Sequence, residues 1–135
     1  MIEFSSFGDP STGILTVAAL QRDIPYAVRR VFWTYGTPPD VTRGHHAHHR
    51  TETVLIAVSG TIVVSTELPN GKCQEFTLDS PKRGLYLPPL CWRTMRYTVS
   101  AVQVAIESTD YSVEDYIRSL DDLRALAAPS AREEN

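Results

Sequence analysis

All four histidines of this 135-residue chain fall within five positions, in the stretch TRGHHAHHRTE at residues 42 to 52. Arg43 and Arg50 flank them, and Glu52 follows closely. Imidazoles titrate near neutral pH and also donate lone pairs to metals. The cluster therefore supports three readings: a metal site, a pair of catalytic bases, or a solvated polar strand. On an extended strand alternate side chains share a face, so His46 and His48 point one way while His45, Ala47 and His49 point the other. Only one pair can line a given pocket.

The metal reading has a recognisable pattern. His46, His48, Glu52 and Gly60 run close to the first cupin motif, in which an HxH pair and a following Glu ligate a divalent ion. A second motif should then bring in another histidine. Around PPLCWR (88 to 93), Pro88 fits, but Leu90 replaces the glycine and Arg93 stands where the histidine would be. A guanidinium has no lone pair to donate, and its charge repels a cation. No metal and no cofactor is expected. Acid–base chemistry remains: two histidines beside arginines can take a proton from a carbon next to a carbonyl and return it elsewhere. Arginines at a pocket mouth suit phosphate oxygens through two-point hydrogen bonding, and Arg43 with Arg30 on a neighbouring strand could form that clamp.

These residues need a scaffold, and the chain reads as β-rich. Short runs of β-branched and aromatic residues are separated by turn formers, the pattern of a sandwich or barrel. Expected strands cover 13–20, 26–35, 45–49, 53–59, 61–68, 73–78, 84–88, 93–99 and 102–108. PNGK at 69–72 predicts a type I′ hairpin with Asn70 and Gly71 at positive φ. After Tyr111 a helical stripe runs through Val113, Tyr116, Ile117, Leu120 and Leu123, with Ser112 and Asp115 resembling a capping box. One terminal helix should pack on the sheet, and the tail PSAREEN should fray.

At 42% hydrophobic, the chain suits one domain over residues 1–135 with a core and a small-molecule pocket. A net charge of -3 without a basic stripe argues against a nucleic-acid partner. The longest apolar runs are strand-sized and the N-terminus has no basic n-region, so neither membrane insertion nor a signal peptide is expected, and the location should be cytoplasmic. Cys73 and Cys91 form no CxxC and read as reduced thiols.

The sequence also resembles a known family. RRVFWTY (29–35), RGHHAHHRTETVLIAVSGT (43–61), LDSPKRGLYLPPLCWRTM (78–95) and STDYSVEDYIRSLDDL (108–123) look like the dTDP-4-keto-6-deoxyglucose 3,4-ketoisomerases, the WxcM-like sugar isomerases of the RmlC-like cupin group. The patterns RGxHAH, LDSPxxGLYxPPxxW and DYxxxDYI carry the likeness, which covers about residues 13 to 124. It implies an all-β, cupin-type jelly roll with one C-terminal α-helix. It further implies a metal-free homodimer that moves the keto group of a dTDP-linked 4-keto-6-deoxyhexose from C4 to C3. Carried over residue by residue, it places Arg43, His46, His48 and an active-site tyrosine, Tyr35, in the site. Arg30 would help hold the pyrophosphate, with Trp92 and Arg93 among the substrate-binding residues. The position of Arg93 is tied in the family to the C4 epimer formed, and arginine there favours the gluco product.

By this resemblance His46 is the first choice of base at C3, His48 its partner or relay, and Tyr35 a donor to the enediolate. Two other functions compete. A nucleotide-sugar 3,5-epimerase shares the RGxH element but pairs its histidine with an Asp in a longer chain. A sugar-nucleotide binding module would bind without turnover.

Overall fold

The structure, a computed structural model, describes residues 1–127. The strands are β1 (Ile2–Glu3), β2 (Ser5–Asp9), β3 (Gly13–Val17), β4 (Arg30–Tyr35), β5 (Thr42–His48), β6 (Thr53–Ser59), β7 (Ile62–Glu67), β8 (Cys73–Leu78), β9 (Arg83–Leu87), β10 (Trp92–Tyr97) and β11 (Val102–Glu107). A 3₁₀ turn (Val113–Asp115), β12 (Tyr116–Ile117) and helix α1 (Leu120–Ala125) follow. Two antiparallel five-stranded sheets form, in the orders β1-β9-β6-β11-β4 and β12-β5-β10-β7-β8, while β2 and β3 make a separate hairpin. This is the jelly roll with one short C-terminal helix.

Inward side chains of both sheets meet in one core, where Leu55, Leu85 and Ala105 of the first sheet pack against Val64, Leu78 and Met95 of the second. Strand β6 is buried on both faces, which is why its TVLIA run shows no apolar–polar alternation. Leu55 and Ala57 enter the inter-sheet core; Val54 and Ile56 pack outward on Phe4, Ile24 and Ile106. The N-terminal segment thus covers the back of the first sheet. Strands β1 and β2 were not expected, since they are short and their apolar partners lie far along the chain.

Two local expectations are corrected. In the β7–β8 connection only Gly71 takes positive φ, at 90°. Its N–H donates to the Leu68 carbonyl, and the Asn70 side chain accepts from the Lys72 N–H. Pro69 presets a type I turn, so the loop has three residues with a left-handed glycine, rather than the type I′ pair. The C-terminal helix starts at Leu120, capped by Ser119, whose hydroxyl accepts from the Asp122 N–H. Ser112 makes no such bond; its hydroxyl donates to Glu114. The residues between were drawn into a sheet instead, with Tyr116 pairing with His48 and Ile117 with Ala47. Ile117 and Leu123 cover Ala47 on the outer face of β5, so an apparent helical stripe is a bent arm following one apolar patch. The tail from Pro129, expected to fray, lies outside the described residues.

Candidate active site

A cavity of about 280 Å³ opens between the sheets. Phe32 and Thr34 of β4, Thr53 and Leu55 of β6, and Gln103 and Glu107 of β11 line one wall. The other carries Arg43 and His46 of β5, Arg93, Met95 and Tyr97 of β10, and Tyr116 and Arg118 of the arm.

Strict alternation would send Arg43 and His46 to opposite faces. A bulge prevents this: Arg93 pairs with His46 and Thr94 with Gly44, leaving His45 without an opposite residue. Gly44 has φ of 98° and His45 of 57°. A Cβ at Gly44 would stand 2.6 Å from the Arg93 carbonyl oxygen, so the glycine of RGxH is required by conformation and by space. The expected outward direction of His45 and His49 holds, since both are exposed.

His46 is half-buried and its Nδ1–H donates to the Gly44 carbonyl at 3.1 Å, which leaves the Nε2 lone pair uncommitted. His48 is 1% exposed, behind it, with the ring centroids 5.0 Å apart at right angles. Its Nδ1–H donates to Asp115 at 3.1 Å; Nε2 is buried, has no hydrogen-bond partner, and lies 3.9 Å from Glu107. Tyr116 packs on both rings, with centroids at 5.0 and 4.5 Å.

Burial, then the charge of Arg93, pushes His46 down to about 4 and His48 down to about 3. Both imidazoles are neutral at pH 7 and hold a free lone pair. Arg93 is 2% exposed, donates through Nε to the Cys91 carbonyl, and has a buried Nη2 without partner. An unpaired buried cation costs several kcal/mol, so this guanidinium is poised for an anion in the cavity. Asp115 is opposite in sense: burial raises its pKa, but hydrogen bonds from Thr51, the Arg50 N–H and His48 hold it below the usual carboxylate value.

Three residues expected in the site are placed elsewhere or are already engaged. Tyr35 is 70% exposed on the outer side of β4, beside Trp33 and Pro38, because Arg30, Phe32 and Thr34 occupy the inward phase of that strand. The tyrosine that the chain brings to its histidines is Tyr116. Trp92 likewise has the opposite phase to Arg93 and packs outside the cavity with Leu120. Arg30 is committed to Glu107 in an ion pair, and Glu107 also accepts from Thr53. The cations free for a phosphate are Arg43 and Arg118 at the cavity, neither with an acidic partner among the described residues.

Sequence reasoning missed Glu107, Gln103, Asp115, Tyr116 and Arg118. Gln103 and Glu107 could have been found as polar residues in phase on an otherwise apolar strand. Asp115 and Tyr116 sat in plain view within the DYxxxDYI pattern, read as helical. The donor set does not fit a divalent metal: Glu52 turns away to accept from the Tyr86 hydroxyl, and the guanidinium of Arg93 occupies the histidines' side of the cavity.

Known proteins match this arrangement. The chain is 34% identical over 129 residues to the TDP-4-oxo-6-deoxy-alpha-D-glucose-3,4-oxoisomerase of Aneurinibacillus thermoaerophilus, covering 95% of this chain and 91% of that one. QdtA, a sugar 3,4-ketoisomerase from Thermoanaerobacterium thermosaccharolyticum solved in complex with TDP, superposes with a TM-score of 0.88 at 33% identity, over 93% of this chain and 91% of its own. A histidine-to-asparagine variant of QdtA, in complex with TDP-4-keto-6-deoxyglucose, also gives 0.88, at 32% identity over the same shares of each chain. The dTDP-4-dehydrorhamnose 3,5-epimerase of Bacillus anthracis is 14% identical with a TM-score of 0.73 over 84% of this chain and 74% of its own, a likeness of fold alone. The model of the family described as FdtA: WxcM-like, C-terminal matches residues 1–128, and the chain belongs to that family, the sugar 3,4-ketoisomerases that its motifs resemble.

Proposed function

We propose that the chain converts dTDP-4-keto-6-deoxy-D-glucose to the 3-keto isomer by proton transfer through an enediolate. One observation carries this reading: a neutral imidazole, His46, lines the cavity beside the buried, unpaired guanidinium of Arg93, with a second neutral imidazole, His48, packed behind it. The C4 carbonyl acidifies the C3 proton, and a histidine within reach removes it, with His46 favoured because it lines the cavity. Negative charge then develops on the two oxygens, where the Arg93 guanidinium is already in place to receive it. The O3 hydroxyl proton passes to O4 in the enediolate, and return of the abstracted proton at C4 leaves the ketone at C3. Arg43 and Arg118 at the cavity take the diphosphate. Arg93 further supports the gluco over the galacto product, by resemblance.

The QdtA complexes with TDP and with TDP-4-keto-6-deoxyglucose support this substrate class. Incubation with dTDP-4-keto-6-deoxyglucose in deuterated water tests it by NMR. A 3-keto product with deuterium introduced at C4 is expected. Exchange at C5 as well as C3, without a 3-keto product, would instead mark a 3,5-epimerase, and an unchanged spectrum a binding module. Turnover should survive exhaustive chelation; loss on chelation and rescue by one divalent ion would overturn the metal-free reading.

We also place two chains in a homodimer. Val31, Trp33 and Tyr35 on the outer face of edge strand β4, and Phe7, Ile14 and Leu15 on the β2–β3 hairpin, are exposed apolar groups that a second copy would cover. A cytoplasmic location suits the two free cysteines. No helix among the described residues is long and apolar enough to cross a membrane.

A further inference from the structure

We propose that Asp115 is a positioning residue for the isomerisation, holding His48 with Nδ1 protonated and Nε2 as the free proton acceptor. The inference rests on the isomerase reading above. It starts from the DYxxxDYI segment, to which no task was assigned by sequence. That segment folds back as the 3₁₀ turn and β12, and lays Asp115 and Tyr116 against the far edge of β5.

Asp115 is held firmly. It is 1% exposed and accepts from the Thr51 hydroxyl, from the Arg50 N–H at 2.7 Å, and from His48 Nδ1–H at 3.1 Å. Its own backbone carbonyl accepts from the His49 N–H at 2.8 Å, locking the turn to β5. An ionised carboxylate only accepts hydrogen bonds, so the tautomer with a lone pair on Nδ1 would set two acceptors face to face. The proton therefore sits on Nδ1.

Every charged or titratable group facing His48 bears on what Nε2 can do. Arg93 on β10 and the neighbouring His46 on β5 disfavour its protonation, Asp115 favours it, Glu107 on β11 stands 3.9 Å from Nε2, and the Tyr116 ring covers one side. An imidazolium formed during turnover would lie between two carboxylates, Asp115 on Nδ1 and Glu107 near Nε2. His46 has only a backbone carbonyl behind its Nδ1. The two histidines are thus unequal: a carboxylate stabilises the cationic form of His48 more than a neutral carbonyl stabilises that of His46.

The wild-type protein labelled with ¹⁵N-histidine gives the first readout, with the His48 signals assigned by their loss in His48→Asn. Long-range ¹H–¹⁵N correlations should report the Nδ1–H tautomer at neutral pH, and an Nε2–H tautomer would overturn the proposal. In Asp115→Asn the side-chain NH₂ can donate to Nδ1, so the tautomer should invert. Its kcat should fall roughly a hundredfold or more, with KM within about threefold, because a relay in the wrong tautomer leaves substrate bound but cannot pass its proton on. Asp115→Glu should recover at least about tenfold of that loss. A folded Asp115→Asn with wild-type kcat and pH profile would sink the idea. Were the wild type to show the Nδ1–H tautomer yet no isomerisation of substrate, the positioning would stand and the proposed reaction would fall.

Discussion

At the scale of single residues, the proposed roles separate binding from chemistry. His46→Asn keeps a polar side chain of similar shape but removes a group able to take a proton. Turnover should drop by roughly a hundredfold or more while TDP affinity, measured by calorimetry, changes little. Arg43→Ala should weaken TDP binding first. His45→Asn and His49→Asn, both outside the cavity, should leave the rate near wild type. In the proposed reaction Arg93 acts on two levels, as the donor to the enediolate and as the charge that lowers both imidazoles. Arg93→Met should cost on the order of a hundredfold in kcat. It should also raise the titration midpoints of His46 and His48, followed by NMR, toward 6.5 while burial keeps them below it.

At the scale of elements, the site depends on two departures from regular structure. The first is the β5 bulge, which lets Arg43 and His46 share a cavity although alternation would divide them. Gly44→Ala places a methyl 2.6 Å from a backbone oxygen at φ of 98°. Relief requires the β5–β10 ladder to shift. A loss of about 2–4 kcal/mol in denaturant unfolding is expected, together with a larger proportional loss of turnover than of folded protein. The second is the C-terminal arm, anchored by Leu123, which is fully buried against Ala47 and Ile117. Leu123→Ala should lower stability by about 2–5 kcal/mol and, by loosening the arm that carries Asp115, reduce kcat in the fraction that still folds.

At the scale of the whole molecule, the buried neutral histidines tie stability to pH. His48 has a folded pKa of about 3 against 6.5 for the free side chain. The unfolded chain therefore binds the extra proton between these values, so this contribution is complete above about pH 6.5 and is lost as pH falls toward 3. At pH 5 the loss is about 2 kcal/mol from His48 alone, with His46 adding in the same direction. The wild type should lose thermal stability on going from pH 7 to pH 5 more steeply than His48→Asn does, measured by calorimetry in matched buffers. The second whole-molecule property is association. Gel filtration at micromolar concentration should return a dimer, and Trp33→Asp, on the exposed outer face of β4, should shift it toward monomer without touching the cavity residues. A wild-type monomer would count against the proposed pairing.

The sequence by itself determined the β-rich class, most strands and the identity of the chemical cluster. These follow from local properties: alternation, turn formers, and four histidines in five positions. It also carried the family in three short patterns. Whatever depended on phase beyond a single strand was decided by the tertiary structure. Trp92 and Arg93 are neighbours, yet the pleat sends one to the outer groove and the other to the cavity. Arg30 and Tyr35 share a strand with opposite phase, while Arg43 and His46 share a face only because of a bulge set by pairing with β10. The carboxylates beside the histidines come from 59 and 67 positions beyond His48, as Glu107 and Asp115. No local pattern announces such partners, because a strand or turn is indifferent to which distant face it will meet until both sheets and the returning arm have packed.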